Sequence, residues 1–123
     1  MIVRVLVGDD PIQTRKAERA FSAHAAAEGV FISLVVLAEV SWVLRAAYAW
    51  EPETIHEQVS RLVRTKGVVV EELELVLAAL DEYRDGKAGL ADYLVLGKAR
   101  RGPGRALLTF DRKLARERDV TLL

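Results

Sequence analysis

Three carboxylates lie in apolar stretches of the sequence, where an acid that only faces solvent is not expected. They are Glu39 within residues 34–40, Asp92 within residues 90–96, and Asp111 directly after residues 106–110. A carboxylate taken out of water is costly unless it is paired, neutralised or bound to a cation. The pattern therefore predicts either a shared cation site or, for each acid separately, a helix cap or an arginine partner.

Oxygen ligands without sulfur or imidazole beside them suit Mg²⁺ or Mn²⁺ better than zinc. The sequence has no cysteine, which excludes disulfides, thiolate zinc sites and cysteine nucleophiles. His24 and His56 lie on polar helical stretches and are expected at the surface, and Ser33 and Ser41 lack a histidine base for a nucleophilic triad. The acids are therefore the candidate site, and Mg²⁺ or Mn²⁺ is the expected cofactor.

The elements that must position these acids alternate between strands and helices. Apolar and β-branched runs predict strands at residues 1–7, 30–33, 67–70, 106–110 and 120–123. Periodicity and breaker residues predict helices at residues 12–28, 34–48, 51–64, 73–84, 90–101 and 111–118. This alternation predicts an α/β fold with a parallel sheet covered by helices on both faces. Ligands of such sheets gather at the carboxyl ends of the strands, which is where Asp111 falls and where helices could bring Glu39 and Asp92.

Apolar side chains on nearly every face indicate that the helix at residues 34–48 is buried. The strand at residues 67–70 is likewise expected to be buried. Trp42 and Trp50 are accordingly expected to pack in the core and at its rim rather than to stack on nucleic-acid bases.

The chain has 123 residues, which fits one domain with one core. Its 18 basic and 18 acidic residues give a formal net charge of zero, which argues against nucleic-acid binding through bulk positive charge. The charges are nevertheless segregated, because residues 71–92 carry seven acids against two bases and residues 98–118 carry eight bases against two acids. The basic segment predicts either a local phosphate-binding face or a solvated surface.

The same composition bears on location. No apolar run reaches the roughly 18–20 residues of a membrane span. Asp9 and Asp10 follow closely on the first apolar run, which is not the pattern of a signal peptide. Together with the absence of cysteine, these features predict a cytoplasmic protein.

Residues 4–11, RVLVGDDP, resemble the opening of a response-regulator receiver domain, which has a similar length. A receiver needs a phosphoacceptor aspartate after its third strand, and the corresponding residues 47–52, AYAWEP, contain none. The later Ser/Thr and Lys pattern of receivers is also absent, so we reject this assignment.

A second resemblance covers nearly the whole chain and is to PIN-domain ribonucleases, in particular the VapC-type toxins of toxin–antitoxin modules. Residues 4–13, RVLVGDDPIQ, match the stretch that follows the first helix of that family. Three further motifs resemble its acidic motifs: residues 32–45, ISLVVLAEVSWVLR, around Glu39; residues 86–94, GKAGLADYL, around Asp92; and residues 108–113, LTFDRK, around Asp111. These motifs fall on the three acids that the apolar context had already singled out.

The resemblance implies a three-layer α/β/α sandwich with a central parallel sheet, and a metal-dependent endoribonuclease activity. Glu39, Asp92 and Asp111 would hold Mg²⁺ or Mn²⁺, and Thr109 would orient a ligand or a water. Basic side chains of the segment 98–118 would contact RNA phosphates, namely Lys98, Arg100, Arg101, Arg112 and Lys113. The implied partners are an RNA substrate, a cognate VapB-type antitoxin and a second copy of the chain. The alternative is a PIN-like binding module that has lost catalysis and keeps only the dimer and antitoxin contacts.

The first motif of the family, a short strand ending in Asp-Thr-Asn that opens the first helix, does not occur in residues 1–123. Alignment on Arg4 places this motif just before Met1, so that residues 1–7 would form the first helix rather than the strand that propensity predicts. We therefore expect one PIN-like domain over residues 1–123 that is shortened at its N-terminus. The absent first aspartate favours the binding module, and Gly89 stands where many family members carry a further aspartate.

Overall fold

A computed structural model describes residues 2–8, 10–102, 107–109, 113–118 and 120–122 of the chain. The helices are α1 (Ile2–Val7), α2 (Pro11–Ala27), α3 (Leu34–Ala46), α4 (Pro52–Val63), α5 (Leu73–Asp85) and α6 (Leu90–Arg101). The strands are β1 (Val30–Ile32), β2 (Val68–Val70), β3 (Leu107–Thr109) and β4 (Val120–Leu122), and a 3₁₀ turn spans Leu114–Arg116. The predicted α/β class is therefore confirmed. A short helix was predicted at residues 111–118, and the described part of that segment, residues 113–118, contains a 3₁₀ turn.

The N-terminal segment is a helix, so the strand predicted there from β-branched side chains is wrong. Strand propensity is weak, and packing overrides it. The apolar side chains of α1 are half-buried against the core, and the helix lies against α2 and α3. Gly8, whose φ is 65°, follows α1 in the left-handed conformation that commonly ends helices.

α2 begins where the sequence provides a cap and a proline. The Asp10 Oδ1 atom accepts hydrogen bonds from the backbone N–H groups of Ile12 and Gln13, both at 3.1 Å. Pro11 occupies the first turn, where its missing N–H costs nothing. Asp10 is thus the helix cap of α2, while Asp9 lies outside the described residues.

The four strands form two parallel pairs. β1 pairs with β2 in the register Val30 with Val68, and β3 pairs with β4 in the register Leu107 with Val120. Within the described residues, no ladder joins the two pairs into one sheet. β1 and β3 each have one strand neighbour among the described elements, and the second edge of each pairs with no described strand.

Helix cover on both faces of the sheet, which the sequence predicted, is not complete at β1 and β2. Phe31 and Val69 are partners in the parallel register, and they remain 64% and 55% exposed. The prediction that the second strand is buried therefore holds only for the face that carries Val68 and Val70, which packs on the core.

The core lies among α3, α4, α5 and α6, which pack against one another in sequence order, with α3 also against α6. Its least exposed side chains include Leu37, Leu44, Ile55, Val59, Val76 and Leu96. Each such side chain contributes about 1.5–3 kcal/mol through burial. Within the described residues, no helix combines the length and the apolar character needed to cross a bilayer.

The turn between α5 and α6 leaves no room for a side chain at Gly86. A Cβ atom there would overlap the phenol of Tyr93, which is only 1% exposed and cannot swing away. We expect Gly86→Ala to lower the free energy of unfolding by about 1–3 kcal/mol, the usual cost of overpacking. Urea denaturation measures this loss. Gly102→Ala is the control, because a Cβ atom there makes ordinary contacts, and equal stabilities of the two variants would contradict the prediction.

Candidate functional site

A cleft of about 570 Å³ opens where α3, the start of α4, the end of α5 and the start of α6 meet. Its lining combines three acids, four bases and two aromatic rings: Glu53, Asp85, Asp92, Arg45, Arg84, Lys87, Lys113, Trp42 and Tyr83. The segment 86–89 between α5 and α6 forms one wall. The cleft therefore contains acidic and basic side chains close to one another. The chain as a whole likewise has a formal net charge of zero.

Asp92 enters the cleft from the first turn of α6. The backbone N–H of Gly89 donates to Asp92 Oδ2 at 3.1 Å, so this carboxylate helps to cap its own helix. A negative charge is also favoured in the first turn by the helix dipole. The side chain is half-buried rather than enclosed. The capping bond is the local alternative considered for each acid, and it occupies one oxygen of a carboxylate that still lines the cleft.

Glu39 is exposed, so the expectation that its apolar neighbours bury it is wrong. Leu37 and Val40 point into the core, while the face that carries Glu39 also presents Val35 and Trp42, 67% and 66% exposed. Residues spaced by three and four positions share a helix face, which explains why Val35, Glu39 and Trp42 are exposed on the same side of α3. Glu39 makes no hydrogen bond or ion pair with any described residue.

The three acids cannot be compared as a set, because Asp111 lies outside the described residues. Glu39 and Asp92 lie on α3 and α6, which pack against each other, and Asp92 but not Glu39 lines the cleft. Within the described part of the chain, no cluster of three or more acidic, histidine or cysteine side chains could hold a metal ion. Convergence of the three acids therefore stays a prediction.

Thr109 is the last residue of β3, and its backbone is in register with Leu122 of β4. Its side chain is not among those described, and Arg112 also lies outside the described residues. The orienting role of Thr109 and the RNA contact of Arg112 stay predictions. The end of β3 at Thr109 nevertheless matches the predicted strand that Asp111 follows.

Two of the bases predicted to bind RNA are held in ion pairs with α5 and the turn before it. Lys98 Nζ lies 2.8 Å from Glu72 Oε2, and this hydrogen bond raises the pKa of the lysine. Arg100 is mostly buried, donating to Glu82 Oε2 at 3.1 Å and to the Arg118 carbonyl at 2.7 Å. The acidic and basic segments thus neutralise each other where α5 packs on α6, and phosphates would have to compete with these pairs.

The other two described bases of that set differ. Arg101 is exposed at the end of α6, and Lys113 is exposed and lines the cleft. The structure does not test whether these bases contact RNA. The contacts therefore stay predictions for Lys98, Arg100, Arg101 and Lys113.

The cleft residues that the sequence analysis did not propose for the site include Trp42, Arg45 and Lys87. Trp42 was expected in the core or at its rim, and its exposed ring contradicts this, whereas Trp50 is half-buried against the core as expected. A signal was present for two of them, because Glu39, Trp42 and Arg45 follow one another at intervals of three along α3. Lys87 lies in the turn that leads to Asp92, which only the folded chain places beside α3.

Tyr93 ties the wall of the cleft to the C-terminal part of the chain. Its hydroxyl donates to Glu117 Oε1 at 2.9 Å and accepts a longer bond from the Ala88 N–H at 3.4 Å. Burial raises the pKa of Tyr93, and the hydrogen bond to Glu117 raises it further. The residue after Asp92 is thereby fixed on both sides, which positions the start of α6.

The raised pKa of Tyr93 predicts a loss of stability at alkaline pH. Above pH 10.0, the ordinary pKa of tyrosine, the unfolded chain ionises while the folded chain still holds the proton. The contribution is complete below that pH and is lost as the pH rises through the folded pKa. We expect Tyr93→Phe to lower the free energy of unfolding by about 1–2 kcal/mol at neutral pH, because its hydrogen bond is lost. As the pH rises above 10.0, the stability of this variant should fall less than that of the unaltered protein. Urea denaturation over this pH range measures both effects.

Burial also raises the pKa of Tyr83. We therefore expect Tyr83 to cause the loss of stability that remains at alkaline pH in Tyr93→Phe. Tyr48→Phe is the control for loss of a tyrosine hydroxyl elsewhere. If Tyr93→Phe and the unaltered protein lose stability equally with rising pH, Tyr93 is not the group that titrates.

The fold and the cleft define an α/β protein in which an acid, Asp92, lies in a helix-lined cleft that also carries bases. Residues 1–119 match the PIN domain family, and the chain belongs to that family. Members of this family are typically nucleases that use divalent metal ions. A search of curated proteins gave no significant match, and neither did a search of solved structures.

The described residues fit the divalent metal of this family in chemistry, although they do not complete a site. Glu39 has no described partner, and Asp92 lines the cleft on an adjoining helix. Both supply carboxylate oxygens, the donors that Mg²⁺ and Mn²⁺ prefer. A third oxygen ligand would have to come from Asp111 or from another part of the chain.

Proposed function

We propose that this PIN domain is a metal-dependent endoribonuclease and acts as the VapC-type toxin of a type II toxin–antitoxin module. The observation that carries the proposal is the position of Asp92, which lines a cleft that also holds Arg45, Lys87 and Lys113. A carboxylate for a metal and bases for phosphates are the two needs of phosphodiester hydrolysis. The resemblance of residues 32–45, 86–94 and 108–113 to three acidic motifs of the VapC-type toxins supports the toxin assignment.

In the proposed mechanism, Glu39, Asp92 and Asp111 would hold one or two Mg²⁺ or Mn²⁺ ions. The bound metal would lower the pKa of a water molecule and stabilise the leaving oxygen. The capping bond from Gly89 fixes Asp92 in orientation, and Tyr93 fixes the start of α6. The Thr109 hydroxyl would orient a ligand or the attacking water. Since water is the nucleophile, no side chain needs to form a covalent intermediate.

The test is cleavage of total cellular RNA by the purified protein in Mg²⁺, in Mn²⁺ and in EDTA, with preparations free of contaminating nuclease. We expect cleavage only with metal, and products without 2′,3′-cyclic phosphates, since water rather than the RNA 2′-hydroxyl attacks. Cleavage that persists in EDTA, or cyclic phosphate ends, would contradict the metal mechanism. In a bacterial host, growth arrest on expression that Asp92→Asn relieves would support the toxin role.

The proposal extends to the partners and the organisation of the chain. Residues 1–123 act as one PIN-like domain in the cytoplasm, form a homodimer and bind a VapB-type antitoxin that covers the cleft. The exposed apolar side chains Phe31, Val35 and Val69 support contacts with other proteins, because such side chains gain stability when covered.

The second candidate is a PIN-like binding module without catalysis. It is favoured by the composition of the cleft, whose described residues supply Asp92 but no complete metal cluster. The two candidates differ in one result: the binding module forms the dimer and the antitoxin complex but cleaves no RNA in Mg²⁺ or Mn²⁺.

A further inference from the structure

The exposed side of α3 carries a tryptophan into the cleft. Trp42 is 66% exposed and lines the same cleft as Asp92. It makes no ring contact or hydrogen bond with a described residue. A tryptophan buries a large apolar area when it is covered, so an indole left open beside a polar cleft is unusual for a residue that only packs.

The cleft also carries cations whose side chains are not used inside the molecule. Arg45 and Lys87 are exposed, and their side chains form no hydrogen bond or ion pair with a described residue. Lys98 and Arg100, by contrast, are held by Glu72 and Glu82. Arg45 and Lys87 are therefore available to an anion without the cost of breaking an existing pair.

We propose that Trp42 is a base-stacking platform of the cleft and that Arg45 and Lys87 hold the neighbouring phosphates, which selects single-stranded RNA. Stacking on an indole requires a base that is not stacked within a duplex, and cations beside the ring track the backbone of the same strand. The inference rests on the proposed nuclease function and deepens it. Trp42 acts in substrate positioning, since it offers no group for proton transfer or metal binding.

The spacing along α3 agrees with this assignment. Glu39, Trp42 and Arg45 follow one another at intervals of three residues, about one helical turn each. An RNA strand that runs along this face of α3 would pass first Glu39, the proposed metal ligand, then the indole of Trp42 and then the guanidinium of Arg45. The base next to the scissile phosphate would then lie on Trp42.

The test measures binding of a short, unstructured oligoribonucleotide, and of the same RNA as a duplex, in EDTA so that metal-dependent cleavage is prevented. We expect Trp42→Ala to weaken binding of the single strand about 5- to 150-fold, the range that base stacking supplies. Trp42→Phe should lose less, because a smaller ring still stacks. Val35→Ala is the matched control, because Val35 is an exposed apolar residue on the same helix that does not line the cleft.

Tryptophan fluorescence gives an independent readout, since the chain has two tryptophans. In Trp50→Phe the emission comes from Trp42, and single-stranded RNA should quench it. In Trp42→Phe the emission comes from Trp50, which is half-buried, and quenching should be small.

The phosphate contacts are tested by salt dependence. Replacing both Arg45 and Lys87 by glutamine should lower the slope of log K against log salt by about 0.7 for each lost contact. Arg64→Gln with Lys66→Gln is the matched control, because both are exposed bases that do not line the cleft.

The outcomes separate this inference from the proposed function. If the protein binds and cleaves RNA but Trp42→Ala does so equally well, or weakens single strand and duplex alike, the inference is wrong and the nuclease proposal stands. If Trp42→Ala changes only the oligomeric state, the ring belongs to a protein interface and the inference is wrong. If the unaltered protein neither binds nor cleaves RNA, both proposals fail.

Discussion

Asp92→Asn is expected to lower kcat/KM for RNA cleavage by about 100-fold or more in saturating Mg²⁺. A metal ion contributes several kcal/mol to stabilisation of the transition state, and each 1.36 kcal/mol is about tenfold in rate. Asparagine has the same size and keeps an oxygen that can accept the Gly89 N–H bond, while it removes the negative charge. The loss would therefore come from the metal site and leave the fold intact.

The matched control is Asp85→Asn, which removes an exposed carboxylate from the same cleft. Asp85 lies 3.9 Å from Arg84 in a surface pair, so its loss should change the rate by no more than about twofold. Equal stabilities in urea confirm that both variants are folded. If Asp92→Asn retains metal-dependent cleavage at the rate of the Asp85 variant, Asp92 is not a ligand.

Extension of the chain upstream of Met1 by a short apolar strand that ends in Asp-Thr-Asn is expected to raise both stability and activity. β1 and β3 each pair on one side only within the described residues, and we expect the new strand to pair with the second edge of both. Each apolar side chain that it buries contributes about 1.5–3 kcal/mol. The added aspartate supplies a further oxygen ligand, and we expect Mg²⁺-dependent cleavage to rise about tenfold or more.

The control is the same extension ending in Asn-Thr-Asn, which adds the strand without the acid. It should raise stability as much as the first extension but leave cleavage unchanged. Calorimetry with Mn²⁺ should show weak binding by residues 1–123, and tighter binding only by the extension that carries the aspartate. If residues 1–123 cleave as fast as the extended chain, the added acid is not part of the mechanism.

The sequence was informative where a local rule decides the structure. Asp10 and Pro11 defined the start of α2, and the helix that carries Asp92 begins and ends where predicted. For α1, propensity alone predicted a strand because of the β-branched side chains, whereas the alignment on Arg4 predicted the helix, which is stabilised by contacts with α2 and α3. Such contacts are not encoded in any window of a few residues.

The sequence was misleading where both faces of an element are apolar. α3 has apolar side chains all round, so the pattern could not say that Leu37 faces the core and Glu39 faces solvent. The cleft required tertiary structure for the same reason, because Trp42 and Lys87 are distant in sequence and meet only when α3 packs beside the turn before α6. The sequence pattern also could not predict that Lys98 and Arg100 of α6 pair with Glu72 and Glu82.

The Tyr93 hydroxyl makes two distant segments of the chain thermodynamically coupled. It joins Glu117 to the turn that contains Ala88, so opening either segment breaks a bond that the other shares. A ligand that orders the cleft wall must therefore protect the segment 113–118 against local opening. By linkage, a molecule that binds this segment must raise the affinity of the cleft for that ligand by the same free energy. A molecule that binds the segment 113–118 would thus change the ligand affinity of the cleft without a larger conformational change.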